Sequence, residues 1–252
     1  MTDHYIEFRN VTKAFDERVV LDDVSFFVPR GETVVILGRS GVGKSVSLKH
    51  IMGFLKPDSG RVIVAGQDIT GATEDELRDI RRRVTMVFQS GALFDSLSVA
   101  ENVMFPLETR EDLSDEQKEQ RVAELLEMLE VNEAANQLPS ELSTGMKRAV
   151  AIARALAQDP EAILYDEPTT MVDPIMAGHV GDLIHKLKEK FRKTSIVVTH
   201  DTHLARRLAD RVVFLHEGRV AFFGMWNEFE NADEKFLRNF LSLDQLIPVM
   251  DV

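Results

Sequence analysis

A glycine-rich loop, Gly38-Arg-Ser-Gly-Val-Gly-Lys-Ser45, constrains the fold of this chain more than any other sequence feature. It matches the pattern G-x-x-x-x-G-K-[ST] and follows the apolar run Thr33–Leu37, which predicts a buried strand. A helical stretch continues from Lys44 to about Gly53. Glycines let the backbone wrap around a phosphate, and the amides at a helix N-terminus favour an anion. We therefore predict a nucleotide phosphate site, with Lys44 on the β- and γ-phosphates and Ser45 on Mg²⁺.

A second apolar run, Ala162–Tyr165, ends in two acids, Asp166 and Glu167. The carboxyl ends of parallel strands face the nucleotide crevice in α/β sheets. We expect Asp166 to support Mg²⁺ through water and Glu167 to polarise the attacking water. An acidic turn after a strand is common, so this assignment depends on the phosphate loop earlier in the chain.

Strand-like and helical runs alternate, which predicts an α/β fold with a mainly parallel sheet. Tyr5–Thr12 and Val24–Val28 read as strands, whereas helical patterns replace strands from about Ser90 to Asp159. We therefore predict a nucleotide-binding core at 1–89 and 159–224, a helical subdomain at 90–158 and a helical tail at 225–252. Apolar residues of the tail should pack on its own domain: Phe229, Phe236, Leu237, Phe240 and Leu241. Strands are expected again at Ala162–Tyr165, Ser195–Thr199, Val212–Leu215 and Arg219–Phe223.

Composition excludes several kinds of site. The chain has no cysteine, so it has no disulfide, cysteine zinc site or thiol nucleophile. Its formal net charge of −12 disfavours general binding to nucleic acid or to an anionic membrane surface. No apolar run approaches the roughly 18 residues of a membrane span, and the first residues lack a signal-peptide pattern. One basic cluster is interpreted as a solvated helix face: Arg78, Arg81, Arg82 and Arg83.

Further motifs follow in a fixed order. Leu142-Ser-Thr-Gly-Met146 opens a helix, Gln89 follows the strand-like run Val84–Phe88, Asp173 follows the acid pair, and His200 ends another strand. Together with the phosphate loop, they resemble the ATP-binding cassette (ABC) family over essentially Tyr5–Phe223. The resemblance implies a P-loop NTPase (RecA-like) core with an inserted α-helical subdomain and an N-terminal antiparallel β region.

The resemblance also implies a role for each matching residue. Phe15 would stack on adenine, and Gln89 would touch Mg²⁺ and link the core to the helical subdomain. Asp173 would connect the two sites of a dimer, and His200 would contact the γ-phosphate. Ser143, Thr144 and Gly145 would contact the γ-phosphate bound by the opposite subunit. The implied nucleotide-binding residues are Phe15, Gly38, Ser40, Gly41, Gly43, Lys44, Ser45 and Val46, and the implied Mg²⁺ residues are Ser45, Gln89 and Asp166.

The chain departs from the common family pattern in two places. Thr144 and Met146 stand where Gly and Gln are usual, and Met171-Val172 stands where a small residue and Leu are usual. Ser143, Gly145 and the helix start are retained, so a helix N-terminus can still face a phosphate. We expect ATP hydrolysis, at a reduced rate.

The implied mechanism is a head-to-tail homodimer in which each ATP lies between the phosphate loop of one subunit and the signature helix of the other. The residues from Phe88 to Leu107 are similar to those of Mla-type lipid transporter ATPases. That implies phospholipid transport, an integral membrane permease, an MCE-domain lipid-binding protein, and in some relatives a small regulatory subunit. The chain would lie on the cytoplasmic side of the inner membrane as a peripheral subunit. Ala92, Leu93 and Phe94 are candidate contacts to the permease, with internal packing as the alternative.

Other uses of the cassette remain open. DNA-acting relatives carry a long coiled-coil arm between the phosphate loop and the signature, and this chain has no room for one. Translation-type relatives carry two cassettes, whereas this chain has one. A cassette for another solute importer and a soluble regulatory ATPase without a permease are the alternatives to lipid transport.

Overall fold

The computed structural model describes residues 3–244, which form two compact units. One unit runs to Gly71 and resumes at Ile196, and the other is Ala72–Ser195. The predicted division into core, helical subdomain and tail separates the chain by functional part, whereas these units are defined by compactness. That division stays a prediction. The strands are β1 (His4–Phe15), β2 (Arg18–Pro29), β3 (Thr33–Leu37), β4 (Ser59–Val64), β5 (Gln67–Asp68), β6 (Val84–Val87), β7 (Ala162–Asp166), β8 (Thr194–Val198), β9 (Arg211–His216) and β10 (Arg219–Met225).

Helices at Lys44–Ile51 and Thr144–Ala157 lie where the sequence predicts helices, and short 3-10 turns lie at Phe105–Leu107, Asn132–Ala134 and Pro139–Glu141. The helices are α1 (Lys44–Ile51), α2 (Glu74–Arg83), α3 (Val99–Met104), α4 (Asp115–Met128), α5 (Thr144–Ala157), α6 (Pro174–Phe191), α7 (Thr202–Leu208), α8 (Trp226–Glu230) and α9 (Lys235–Asp244). Among residues 3–244, none of these helices combines the length and the apolar character that crossing a membrane requires.

The N-terminal part of the first unit is a four-stranded antiparallel sheet in the order β2-β1-β4-β5. This confirms the predicted antiparallel region and its first two strands. The strands β4 and β5 were not predicted, because β4 carries Arg61 and a glycine in a run of only six residues. The strand is instead stabilised by its pairing with β1, which runs from Ile6 opposite Val64 to Thr12 opposite Ser59.

The phosphate loop follows the most buried strand of this unit. All five residues of β3 are buried, and β3 runs parallel to β9 with Val34 opposite Arg211 and Leu37 opposite Phe214. The order β10-β9-β3-β8 places β3 between two neighbours. A strand buried on both faces needs the unbroken β-branched and apolar run that its sequence has.

The tail packs on its own unit through apolar side chains between Phe229 and Phe240. Phe229 and Leu237 are fully buried, and the ring centroid of Phe214 on β9 lies 5.8 Å from that of Phe229 and 4.9 Å from that of Phe240. This confirms the predicted packing of the tail as far as Phe240. The rest of the predicted tail, residues 245–252, lies outside the described residues.

The second unit combines a parallel strand pair with five helices. β6 pairs with β7 from Val84 opposite Ala162 to Val87 opposite Tyr165, which confirms the predicted parallel arrangement there. The unit's helix α4 starts at a capping box in which Ser114 and Gln117 exchange hydrogen bonds. The arginines of α2 face carboxylates, which agrees with a solvated helix face: Arg78 with Asp75, Arg81 with Glu74, Arg82 with Asp79 and Arg83 with Glu161.

Candidate functional site

The phosphate loop owes its shape to two glycines that no other residue could replace without strain. Gly38 has φ +150°, and a Cβ there would lie 2.5 Å from the backbone oxygen of Leu215. Gly43 has φ +109°, and its Cβ would lie 2.6 Å from Leu21 Cδ2. The loop can therefore lie directly against β9 and β2 only because these two residues have no side chain.

Lys44 begins α1 and is only 5% exposed. Its Nζ donates to the carbonyl oxygens of Gly38 at 2.8 Å and Arg39 at 3.3 Å. The ammonium group is thereby held over the concave side of the loop, at the positive end of the α1 dipole. Ser45 and Val46 follow in the first turn of α1, and both are half-buried. Ser40 and Gly41 lie in the exposed part of the loop.

His200 belongs to the same unit as the phosphate loop. It follows β8, which neighbours β3, and the backbone N–H of Thr199 donates to the oxygen of Ile36 at 3.2 Å. His200 is exposed, whereas Thr199 is fully buried. The fold thus brings the end of β8 beside the end of the strand that leads into the loop.

Phe15 ends β1 and is 41% exposed, so its side chain is not part of the buried core. The Nζ of Lys13 lies 5.6 Å from the centroid of its ring. An exposed ring with a cation on one face is free to stack a second ring on the other.

Replacing Phe15 by Ala should raise the KM for MgATP about 2- to 12-fold and leave kcat unchanged, since an aromatic stack contributes about 0.5–1.5 kcal/mol. Phe15→Trp keeps a stacking face and should keep a KM close to that of the native chain. Steady-state phosphate release over a range of ATP concentrations measures both constants. An unchanged KM in Phe15→Ala would exclude the stacking role.

The acid pair lies in the second unit, at the end of β7. Asp166 is the last residue of the strand and is 8% exposed, and Glu167 is 9% exposed. Glu167 has φ +48°, a left-handed conformation that is uncommon for a residue with a side chain. The hydroxyl of Thr170 donates to Glu167 Oε2 at 3.0 Å. The carboxylate is therefore oriented by a neighbour on its own turn.

The signature residues occupy the start of α5. Ser143 is the N-cap residue, and its Oγ accepts from the backbone N–H of Met146 at 3.2 Å. Ser143 and Thr144 are exposed, whereas Gly145 is buried. A Cβ on Gly145 would lie 2.6 Å from Met176 Cε, so the glycine lets the first turn of α6 lie against the first turn of α5.

Gln89 and Asp173 are both exposed on the second unit. Gln89 lies two residues beyond β6. Asp173 is the N-cap of α6, and its Oδ1 accepts from the N–H of Met176 at 3.0 Å. Asp173 thus has a structural task in addition to its predicted one. The fold groups Gln89, Ser143, Asp166, Glu167 and Asp173 in one unit and the phosphate loop, Phe15 and His200 in the other.

Sequence reasoning missed four polar residues of the second unit that orient these motifs: Asn102, Arg148, Arg154 and Thr170. Arg148, on α5, donates to the oxygens of Phe88 at 3.5 Å and Thr170 at 3.4 Å, and burial lowers the pKa of its guanidinium. The available signal was Arg154 in the otherwise apolar run Ala149–Leu156 and Asn102 beside the apolar Val103 and Met104 of α3. Such residues are seldom buried without partners.

Comparison with known proteins agrees with this arrangement. A family model described as "ABC transporter" matches residues 21–170. Over 95% of the chain and 74% of the relative, the chain is 41% identical to the Arabidopsis thaliana chloroplast protein TRIGALACTOSYLDIACYLGLYCEROL 3. It is 38% identical to the intermembrane phospholipid transport system ATP-binding protein MlaF of Haemophilus influenzae, over 99% of the chain and 94% of the relative. It is also 37% identical to the methionine import ATP-binding protein MetN of Brucella abortus, over 94% of the chain but 64% of the relative.

A solved structure shares the fold. The ATP-binding cassette MJ0796, described as a dimer in a post-hydrolysis state bound to ADP and Pi, superposes with a TM-score of 0.79 at 37% identity. The match covers 87% of this chain and 98% of the solved one. This confirms the predicted P-loop NTPase fold with ABC architecture. The chain belongs to the ABC transporter family, in which it is an ATP-binding subunit that hydrolyses ATP.

Proposed function

We propose that this chain is the motor of a phospholipid transporter, and that it works as a head-to-tail homodimer with ATP between the subunits. The observation that carries the dimer is the start of α5, where Ser143 and Thr144 are exposed at a helix N-terminus that can accept a phosphate from another chain. The dimeric state of the related cassette supports the same assembly. The exposed apolar side chains of Met171 and Ile175, 83% and 81% exposed, flank Asp173 and would be covered by the second copy.

In this proposal each chemical task falls to a named group. Lys44 neutralises the β- and γ-phosphates, and the loop amides orient them. Glu167 accepts a proton from the attacking water. The hydrogen bond that Thr170 donates orients the Glu167 carboxylate for this task. His200 and Gln89 contact the γ-phosphate side of the site. Asp173 links the two sites of the dimer.

Mg²⁺ fits the donor groups of the chain. Among residues 3–244, no three His, Asp or Glu side chains cluster as a complete metal cage. Mg²⁺ keeps several waters and takes its other ligands from phosphate and one or two protein oxygens, and the hydroxyl of Ser45 and the carboxylate of Asp166 offer oxygens of that kind. Ser45, Asp166 and Gln89 would hold it, and it would neutralise charge that develops on the phosphates.

The similarity to MlaF, whose name specifies phospholipid, supports phospholipid as the cargo, and the galactolipid in the name of the chloroplast relative supports a lipid more generally. The segment from Phe88 to Leu107 supports it as well. Similarity to MetN at 37% identity makes an importer for a small polar solute the second candidate. The cargo itself would be bound by the partner subunits: an integral permease and an MCE-domain protein, with a small regulatory subunit as a further component. The ATPase subunits would then lie on the cytoplasmic face of the inner membrane.

The permease would dock beside the loop that follows Gln89. Phe94 and Phe105 are 41% and 45% exposed, and their ring centroids are 4.6 Å apart. Ala92 is exposed and Leu93 is half-buried. Two exposed rings in contact form an apolar patch suited to a helix of a partner, which favours docking over simple internal packing.

Replacing Phe94 by Ala should uncouple transport from ATP hydrolysis. We expect ATP-dependent phospholipid transfer by the complex to fall about tenfold, as for loss of an interface anchor, while the isolated chain keeps its ATPase rate. Leu138→Ala removes an apolar side chain that is also 41% exposed in this unit and serves as the control. If Phe94→Ala abolishes hydrolysis without the permease, the side chain serves internal packing instead.

The cargo is tested in the cells from which the sequence comes. Lys44→Ala should change how pulse-labelled phospholipid distributes between the inner and outer membranes, and uptake of methionine should stay normal. Normal lipid distribution with defective solute uptake would favour the second candidate. Normal values of both would leave the ATPase without a transport role.

A further inference from the structure

The loop that follows Gln89 has a strained backbone. Gly91 and Ala92 are consecutive left-handed residues, with φ of +79° and +47°. The left-handed region suits Gly91 but is unfavourable for Ala92, whose Cβ crowds the backbone there. A strained conformation persists only where its surroundings fix it.

Arg154, on the signature helix α5, fixes both of these residues. Its Nη2 donates to the carbonyl oxygen of Gly91 at 3.1 Å and to that of Ala92 at 2.8 Å. Its guanidinium lies 5.5 Å from the ring centroid of Phe94. Charge-assisted bonds of this kind are stronger than bonds between neutral groups.

Arg154 is an unusual residue for its position. It is half-buried, and burial lowers the pKa of its guanidinium. The hydrogen-bond acceptors of its guanidinium are uncharged oxygens, those of Gly91, Ala92 and the Asn102 side chain. The backbone of the loop is what compensates the guanidinium for its lost hydration, so the arginine and the loop depend on each other.

Asn102, on α3, holds the next part of the same loop. It is fully buried, and its Oδ1 accepts from the N–H of Phe94 at 2.9 Å. Its Nδ2 donates to the oxygens of Phe94, Leu97 and Ser98 at 3.0–3.1 Å. Arg154 Nη1 lies 3.4 Å from Asn102 Oδ1, so the two side chains form one polar group, the Arg154–Asn102 clamp.

We propose that Arg154 and Asn102 are positioning residues that fasten the loop after Gln89 to the signature helix, so that Gln89, the permease-facing residues and the signature move as one body. This inference rests on the proposed function, because the clamp affects ATP hydrolysis only if Gln89 has the role proposed for it. Arg154 touches neither nucleotide nor water in this scheme. It acts by fixing where Gln89 is held.

The test is a double-mutant cycle on the full chain, with phosphate release measured over a range of MgATP concentrations. Arg154→Met keeps an unbranched stem and removes the hydrogen bonds. We expect kcat to fall roughly 10- to 100-fold, as for a misplaced catalytic group, and the KM for MgATP to change less than about twofold. Gln89→Ala should lower kcat in the same way. The double variant should be no slower than Gln89→Ala, because the clamp acts through Gln89.

Two further variants keep the test decisive. Arg154→Lys retains the charge and can reach one carbonyl, so it should recover part of the lost kcat. Arg121→Met removes another arginine-to-carbonyl bond of this unit, to Leu156 at 3.3 Å, and should leave kcat unchanged. Hydrogen exchange at the N–H of Phe94 should speed up in Arg154→Met and not in Arg121→Met. If Arg154→Met does not fold, the double-mutant cycle is measured with Arg154→Lys and Gln89→Ala instead.

Several results would overturn the inference. One is a double variant whose loss in kcat is the product of the two single losses. Another is an Arg154 variant with native kcat while Gln89→Ala is slow, which would reject the clamp and leave the proposed function intact. A native kcat in Gln89→Ala would instead reject the role proposed for Gln89, and the clamp's task with it.

Discussion

Replacing Glu167 by Gln is expected to cut ATP turnover by about 10²- to 10⁴-fold, because the chain loses the group that accepts the proton of the attacking water. Gln has the same shape, and its oxygen can still accept the hydrogen bond that Thr170 donates at 3.0 Å. ATP binding should therefore survive, and the dimer should accumulate in its ATP-bound, closed form. The loss of a base and the gain of a stable dimer are two consequences of one change.

Both consequences can be measured on one sample. Single-turnover phosphate release gives the rate, and gel filtration with and without MgATP gives the fraction of dimer. Glu133→Gln neutralises an exposed carboxylate of the same unit and should behave as the native chain does. Rapid hydrolysis by Glu167→Gln would show that another group is the base.

Lys44→Ala should weaken ATP binding on the order of 10²- to 10³-fold, since removing one partner of a buried charge pair costs about 2–5 kcal/mol. The native ammonium is only 5% exposed and is aimed by the oxygens of Gly38 and Arg39. No other side chain of the loop, from Gly38 to Ser45, can supply a cation from the same buried place. Turnover should vanish with binding, because the phosphates are no longer held.

Titration calorimetry of ATP into Lys44→Ala measures this effect directly. Lys49→Ala is the matched control, because Lys49 lies on the same helix and is exposed. It should bind ATP as the native chain does. Near-native affinity in Lys44→Ala would remove the phosphate loop from the site.

The sequence predicted the parts of the fold whose local pattern is unambiguous. β3 lies at the predicted residues because its short β-branched and apolar run is typical of a strand buried on both faces. The helix α5 begins at Thr144, within the motif Leu142–Met146 that is predicted to open a helix. By contrast, β4 is defined by pairing with β1, and no short-range pattern encodes that pairing.

The candidate site shows the same division. Glycines and charged residues at fixed spacing indicated the phosphate loop, the acid pair and the signature, since those motifs act through the local backbone. The Arg154–Asn102 clamp was not predicted, because Arg154 binds backbone oxygens up to 63 residues away in sequence. Carbonyl groups are the same at every residue, so nothing in the sequence says which ones a buried arginine will reach.

The central claim is that this ATPase drives phospholipid transport through membrane partners. A mild-detergent pull-down of the tagged chain from its native membranes, with mass spectrometry of proteins and lipids, tests it most directly. We expect a permease and an MCE-domain protein to co-purify, with bound phospholipid. A permease that co-purifies with a solute-binding protein instead, or the absence of any membrane partner, would contradict the claim.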